Sequence, residues 1–245
     1  MAQVIPYCGL APLPGNLVER FNFDPVLIGS LLLIAGIHLY LVRRDRSARF
    51  RAGLGWAAAA AAFLSPLCAL SVSLFAARVG QHMLLLLVAA PLIAGATPWT
   101  ESHRSPWPAT MAFFAALWFW HMPMPYDATF RSDAVYWSMH VTLFGSGIWL
   151  WHALLGHAPG RAAAMLAAGT LTSMQMSLLG AVLTLSSRAF FAPHYFTTQA
   201  WGFTPLADQQ LGGALMWVPG CLLFLWVALR SFRILWCALE PAATA

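Results

Sequence analysis

The chain has 245 residues, of which 60% are hydrophobic and only 9% are charged. Soluble domains carry charge on about a quarter of their residues. The composition therefore excludes a soluble globular protein and predicts an all-α, polytopic membrane helix bundle that forms a single integral membrane domain over residues 1–245. The net charge of +5 reflects an excess of arginine beside apolar segments, which indicates membrane topology and contact with the lipid bilayer rather than nucleic-acid binding.

Seven segments are apolar enough to be transmembrane helices, since a helix needs about 20 mostly apolar residues to cross a bilayer. The segment up to Phe23 lacks the features of a cleaved secretory signal, so the first span is expected to be retained. Pro66 should kink the second span, and Pro123 and Pro125 should end the fourth directly after His121. The predicted spans are 24–42, 54–75, 80–97, 108–122, 134–156, 162–186 and 211–236.

The arginines predict the orientation of these spans, because cytoplasmic loops are enriched in basic residues. Five arginines between positions 43 and 51 should keep the first connection in the cytoplasm. Seven spans then place the N-terminus outside and the C-terminus in the cytoplasm, with nine arginines inside and four outside. The bacterial cytoplasmic (inner) membrane is the expected location of this multi-pass chain.

Three histidines approach the outer face in this topology. His82 begins the third span, His121 ends the fourth, and His140 lies about 9 Å inside the fifth at the helical rise of about 1.5 Å per residue. Histidine is costly inside a bilayer, and imidazole and thioether ligands suit monovalent copper. We therefore predict a site for Cu(I). Its candidate ligands are His82, His121, His140, Met83, Met122, Met124 and Met216.

Four polar residues are expected to support these ligands. Asp133 and Tyr136 share one helical face with His140, because the three residues stand at positions i, i+3 and i+7. Asp208 is expected to hydrogen-bond a ligand imidazole and so fix its tautomer. Gln209 should lie at the mouth of the seventh span, whose glycines permit close helix packing.

The other histidines and the cysteines have weaker signals. His103, His157 and His194 fall in predicted loops and are expected to be solvated, while His38 and His152 lie near the inner ends of their spans. The four cysteines form no CxxC pair and are scattered over different segments. A disulfide framework or a thiolate zinc site is therefore not expected, and the cysteines are interpreted as small packing residues.

Three stretches of the chain resemble the CtaG-type cytochrome c oxidase assembly proteins, a multi-span bacterial membrane family. Residues 81–92 contain QHML and APL, residues 120–140 contain WHMP, YDA and a histidine, and residues 205–220 contain PLADQQLGG and MWVPG. The chain differs from many members at Arg78, where they have histidine. The resemblance implies a non-enzymatic role in assembling a haem–copper oxidase, with oxidase subunits or a copper chaperone as partners.

Two alternative functions stay open. A membrane b-type cytochrome would hold haem between paired histidines, for which the outer layer and the inner pair of His38 and His152 are candidates. A copper or small-solute transporter would need polar groups through the bilayer midplane, where the sequence offers little beyond Gln175 with Met174 and Met176.

Overall fold

The computed structural model describes residues 5–97, 105–156 and 159–239, and all regular secondary structure in those ranges is helical. The predicted all-α fold is therefore confirmed. His103 and His157 lie outside the described residues. The α-helices in the described ranges are α1 (Pro25–Leu41), α2 (Arg46–Leu64), α3 (Pro66–Ser73), α4 (Phe75–Ala96), α5 (Trp107–Trp120), α6 (Pro123–Ala128), α7 (Asp133–Leu155), α8 (Ala162–Leu185) and α9 (Pro205–Leu239).

Capping residues set the ends of the first three helices. The carboxylate of Asp24 accepts a hydrogen bond from the backbone N–H of Val26 at 2.8 Å and so begins α1. Ser65 ends α2 and begins α3, with Pro66 as the first residue of the new helix. The two helices are bent by 49° at this break. The predicted kink is therefore a complete interruption, because the hydroxyl of Ser65 caps α3 by accepting from the N–H of Leu67.

Within the described ranges, three helices are long and apolar enough to cross a membrane: α4, α8 and the Pro205–Cys237 part of α9. The bent pair of α2 and α3 would make a fourth span if it crosses as one unit. The helix α1 is apolar but has 17 residues, and α5 has 14 residues, or about 21 Å of rise. The helix α5 is therefore shorter than the hydrocarbon core of the bilayer, which is about 30 Å thick. The chain has the helices of a membrane protein, and the seven-span topology stays a prediction.

The central helix of the bundle is α4. It packs against α2, α7 and α9. In its most apolar stretch of 18 residues, 67% is buried inside the protein, compared with 44% for the corresponding stretch of α8 and 39% for that of α9. The segment Leu84–Ala89 has π-helical geometry and follows directly after His82 and Met83. Because π-helical turns within α-helices are frequent at functional sites, it is notable that this turn begins directly after the two predicted ligands.

Glycines allow α9 to approach α8 and α4 closely. A Cβ atom on Gly213 would lie 2.4 Å from Oγ1 of Thr184 and 2.7 Å from the carbonyl oxygen of Gly180. A Cβ atom on Gly212 would lie 2.5 Å from the ring of Phe75. The glycine packing expected for the last span is therefore confirmed, since no larger residue fits at these contacts.

Hydrogen bonds join three separate chain segments at one end of the bundle, here called the N-terminal face. The hydroxyl of Ser73, the last residue of α3, donates to the carbonyl oxygen of Pro12 at 3.0 Å. The hydroxyl of Thr197, in the segment before α9, donates to the carbonyl oxygen of Ser73 at 2.6 Å. The arginine-rich residues 43–51 lie at the opposite end, because they connect the end of α1 to the start of α2.

A disulfide joins Cys8 to Cys68 across 60 residues, so the expectation that these cysteines are merely packing residues is wrong. The pairing arises because the N-terminal segment folds back along α3. Tyr7 holds that segment in place by donating a hydrogen bond of 2.5 Å to Asp24 at the start of α1. A sequence without a CxxC motif carries no signal for such a long-range contact.

His194 is buried, so the expectation that it is solvated is also wrong. It ends the short 3-10 helix Ala192–His194, which turns the imidazole inwards. The hydroxyl of Tyr126 lies 2.6 Å from its Nε2, and the ring of Phe130 packs edge-on against it. The loop before α9 is therefore part of the packed N-terminal face.

Candidate metal centre

Three buried imidazoles meet beneath the N-terminal face. The ring centroids of His82 and His140 are 5.3 Å apart, and those of His82 and His121 are 5.9 Å apart. The exposed fractions are only 2% for His82 and His140 and 6% for His121. The structure thus brings together the three histidines that the sequence selected, with His82 between the other two.

The helix boundaries place His82 deeper than the sequence predicted. The helix α4 begins at Phe75 rather than near residue 80, so His82 lies seven residues inside it. His140 likewise lies seven residues after Asp133, the first residue of α7. Both imidazoles are therefore about 10 Å from the starts of their helices, whereas His121 caps the C-terminus of α5.

Backbone carbonyls orient two of the three rings. Nδ1 of His121 lies 2.7 Å from the carbonyl oxygen of Leu117, and Nδ1 of His140 lies 3.0 Å from that of Tyr136. Because a neutral imidazole carries one N–H donor, these carbonyls hold the proton on Nδ1 and leave Nε2 to act as a ligand. Nε2 of His140 and both ring nitrogens of His82 are buried without a hydrogen-bond partner. Buried polar atoms are normally paired. Nδ1 of His194 is also buried without a partner, but His82 and His140 bring three such nitrogens together in neighbouring rings, where one ligand can reach more than one of them.

Within the described ranges, no group of three or more His, Cys, Asp and Glu side chains has the geometry to hold a metal ion. A site built on two imidazoles is a different arrangement. Two imidazoles bound to one ion at about 2 Å place their ring centroids roughly 5–6 Å apart, which is close to the 5.3 Å between His82 and His140. The spacing of these two rings therefore fits one ion shared by two imidazole nitrogens at a bent angle.

Two of the predicted thioethers are buried in the same core. Met83 follows His82 on α4, and Met216 is fully buried on α9. The helix α9 begins at Pro205 rather than at residue 211, and its Asp208 lies beside Phe75 at the start of α4. The two helices approach each other where a Cβ on Gly212 would lie 3.3 Å from Cα of Ala76. Met216 lies four residues beyond this approach and His82 lies six beyond it, so the levels of the two side chains differ by about 3 Å along the helices.

The other two thioethers lie on the surface. Met122 is 50% exposed and Met124 is 84% exposed. Met122 is the N-cap of α6, and Pro123 begins that helix, so the chain turns away from the core immediately after His121. The structure thus separates these methionines from the buried imidazoles and places them on the surface next to His121.

Asp208 and Gln209 do not contact the imidazoles, so the predicted hydrogen bond between Asp208 and a ligand imidazole is wrong. The two carboxylate oxygens of Asp208 accept from the backbone N–H groups of Phe75 at 2.6 Å and Ala76 at 3.0 Å. A carboxylate at this position satisfies unpaired N–H groups and complements the positive end of the helix dipole of α4. Gln209 accepts a hydrogen bond from the N–H of Phe190 at 2.6 Å and thereby anchors the preceding loop.

Tyr136 contacts the histidine cluster, as its helical spacing predicts, whereas Asp133 does not. The ring of Tyr136 is buried, with its centroid 4.3 Å from that of His140. Its hydroxyl lies 3.3 Å from Sγ of Cys8 and 3.7 Å from Sγ of Cys68. Asp133 is exposed in the first turn of α7, where its charge favours the helix N-terminus.

Arg78 is buried one helical turn before His82 and is 1% exposed. Its Nε donates to the carbonyl oxygen of Ser71 at 3.3 Å, and one terminal nitrogen donates to the hydroxyl of Thr129 at 2.8 Å. The guanidinium carbon also lies 4.2 Å from the ring centroid of Phe130, which is a cation–π distance. Arg78 forms no ion pair with a described residue, so its positive charge acts on the neighbouring histidine cluster.

The comparison with protein families covers most of the chain. The model described as cytochrome c oxidase caa3 assembly factor (Caa3_CtaG) matches residues 38–236. The chain belongs to the caa3 assembly factor family. The resemblance deduced from the QHML, WHMP and PLADQQLGG stretches is therefore confirmed. No curated protein and no solved structure matches the chain.

The region matched to the caa3 assembly factor family contains every histidine of the cluster and both buried thioethers. Cys68 lies inside that region, whereas Cys8 lies before it. In this caa3 assembly factor, the disulfide therefore attaches a segment outside the matched region to α3, the helix that directly precedes α4 and His82.

Proposed function

We propose that this caa3 assembly factor supports maturation of a haem–copper cytochrome c oxidase by holding Cu(I), as cargo, between His82 and His140. His121 is the third imidazole of the site. The observation that supports the proposal is the set of three buried, unpartnered ring nitrogens on His82 and His140. Leaving a polar group buried and unpaired costs about 1–3 kcal/mol, and a bound metal ion removes that cost.

Charge and softness both favour a monovalent ion. Arg78 lies one turn from His82, and at equal distance a positive charge repels a divalent ion twice as strongly as a monovalent one. Met83 and Met216 add soft thioether donors near the level of the imidazoles, and such ligands suit Cu(I). The site is thus selective for Cu(I) over the divalent metals that imidazole alone would accept.

The exposed thioethers provide a route between the buried site and a partner. Met122 and Met124 lie on the surface directly after His121. A copper chaperone or an oxidase subunit that docks there exchanges Cu(I) with these sulfurs, and His121 passes the ion to or from His82. Flexible methionine side chains suit such transient contacts.

The proposed orientation is the seven-span topology with the N-terminus outside the bacterial cytoplasmic membrane and the C-terminus in the cytoplasm. Disulfides persist in oxidising compartments, so the Cys8–Cys68 bond supports an external location for the N-terminal face. The arginines of residues 43–51 at the opposite end support a cytoplasmic location there. The copper site then opens towards the external side of the membrane.

The contacts give no comparable support to the two alternatives. The rings of His82 and His140 pack edge to face at an interplanar angle of 70°, which leaves no space for a porphyrin between them. Nδ1 of His38 already accepts a hydrogen bond from the indole of Trp56 at 3.0 Å. The side-chain oxygen of Gln175, the polar residue that a transport path would use, accepts from Trp118 at 3.0 Å, and its amide nitrogen is a single unpartnered atom rather than part of a cluster.

A Cu(I) competition titration tests the proposal. Purified protein with its disulfide intact is titrated under argon against a chromophoric Cu(I) chelator. We expect one Cu(I) per chain for the wild type and none for the His82→Leu and His140→Leu variants. The His194→Gln variant is the matched control, because His194 is equally buried at the same face but contacts none of the three histidines.

Complementation of a deletion strain provides the functional readout. The His82→Leu variant should leave the oxidase polypeptides present but without their copper centres. Failure of the wild-type protein to bind Cu(I), together with normal copper loading of the oxidase by the His82→Leu and His140→Leu variants, would refute copper handling while leaving the family assignment intact.

A further inference from the structure

The Cys8–Cys68 disulfide lies one side chain away from the imidazole cluster. The hydroxyl of Tyr136 is 3.3 Å from one sulfur and 3.7 Å from the other, and the same ring packs against His140 at an interplanar angle of 42°. On the far side of His140 lies His82, with its two unpartnered nitrogens. The two sulfurs and the imidazoles therefore lie in one row, in which the ring of Tyr136 separates the sulfurs from His140.

The two sulfurs differ in accessibility and in hydrogen bonding. Cys8 is partly exposed, whereas Cys68 is fully buried. The side-chain amide of Asn22 lies 3.8 Å from Sγ of Cys68, and the hydroxyl of Tyr136 can donate to the same atom. The hydroxyl of Tyr136 lies near both sulfurs, so the amide of Asn22 is the donor that distinguishes Cys68 and favours it as the leaving thiolate, while the partly exposed Cys8 is the sulfur that an external thiolate attacks. This is the asymmetry that thiol–disulfide exchange requires.

We propose that Cys8 and Cys68 form a second Cu(I) site that is controlled by redox state. As a disulfide the pair holds no metal, and as a dithiol it binds one Cu(I) between two thiolates. The inference rests on the proposed function for the identity of its metal. Soft thiolates select Cu(I), and the disulfide shows that the two sulfurs can lie close together, as a shared ion demands.

The reductant is a dithiol. Its first thiolate attacks Sγ of Cys8, the disulfide breaks, and Cys68 leaves as a thiolate that takes up a proton. The second thiol of the reductant then displaces Cys8, so the reductant becomes a disulfide and the chain gains two electrons and two protons. Cu(I) binding afterwards forms two Cu–S bonds and releases the two protons. Tyr136 lies between this ion and His140, so rotation of one ring opens the path to the imidazole site.

The titration that tests this site uses a Cys221→Ser/Cys237→Ser background, because those two cysteines are free thiols. The same protein is titrated with Cu(I) under argon before and after reduction by a phosphine, which is removed by desalting. We expect one Cu(I) per chain in the oxidised form and two in the reduced form. Alkylation of the reduced thiols with N-ethylmaleimide should return the value to one, which controls for reduction without a substitution at either cysteine.

Adding His82→Leu separates the two sites. This variant should bind no Cu(I) when oxidised and one when reduced, with two sulfur neighbours around copper in its X-ray absorption spectrum. An equal copper content before and after reduction would overturn the dithiol site, as would a second Cu(I) that survives alkylation. Absence of Cu(I) from the oxidised protein would instead count against the imidazole site, while a single sulfur-bound ion in the reduced protein would support the dithiol.

Discussion

Replacing His82 by leucine should stabilise the metal-free protein while abolishing Cu(I) binding. His82 is 2% exposed, and neither of its ring nitrogens has a hydrogen-bond partner. A neutral imidazole has one donor and one acceptor, and each costs about 1–3 kcal/mol when it is buried and unpaired. The lower bound for both groups gives a gain of about 2 kcal/mol, because leucine fills a similar volume without polar atoms.

Thermal unfolding in detergent with a copper chelator present measures this gain. For a chain of this size, about 2 kcal/mol corresponds to a rise in Tm of roughly 4–8 °C. The matched control is His121→Leu, which removes the hydrogen bond between Nδ1 and the carbonyl oxygen of Leu117. That variant should show no gain or a loss of about 0.5–1.5 kcal/mol. The comparison thus separates removal of an unpaired imidazole from removal of a bonded one.

A fall in Tm for His82→Leu, or a change equal to that of His121→Leu, would refute the reasoning. It would mean that the nitrogens of His82 are satisfied in the protein and that the cluster is a structural feature. The expected pattern of higher stability with lost binding is that of a site kept unpaired for function at a cost in stability.

Three further predictions concern the structure that supports the site. Asp208→Asn should lower stability by about 1–2 kcal/mol in thermal unfolding, because it weakens the cap on α4. Gly213→Val should prevent folded expression, as judged by size-exclusion chromatography, because its Cβ would lie 2.4 Å from Thr184, whereas Gly53→Ala, with nothing within 4 Å, should not. Burial, with a smaller effect of the Arg78 charge, lowers the pKa of His194 to about 3 from 6.5. The unfolded chain therefore binds a proton first, so stability should fall by up to about 1.4 kcal/mol per unit as pH drops below 6.5, and His194→Gln should remove this part of the pH dependence.

The sequence by itself determined the helical membrane class, the family and the three histidines. Each of these depends on local information: apolar segments of bilayer length, short motifs such as QHML and WHMP, and costly imidazoles at the ends of apolar segments. The tertiary structure decided which polar groups serve the site. The sequence suggests Asp208 as a partner for an imidazole, but in the structure its carboxylate caps α4. The start of α4 lies beside Asp208, and the first N–H groups of that helix have no partner within the helix itself.

The Cys8–Cys68 pair and the burial of His194 were likewise decided only in three dimensions. Contacts between residues 60 or more positions apart depend on how segments pack against one another, and no periodicity or spacing in the chain encodes that packing. Local patterns could therefore identify the candidate metal ligands, while the packing of distant segments determined which side chains surround them and which nitrogens remain unpaired.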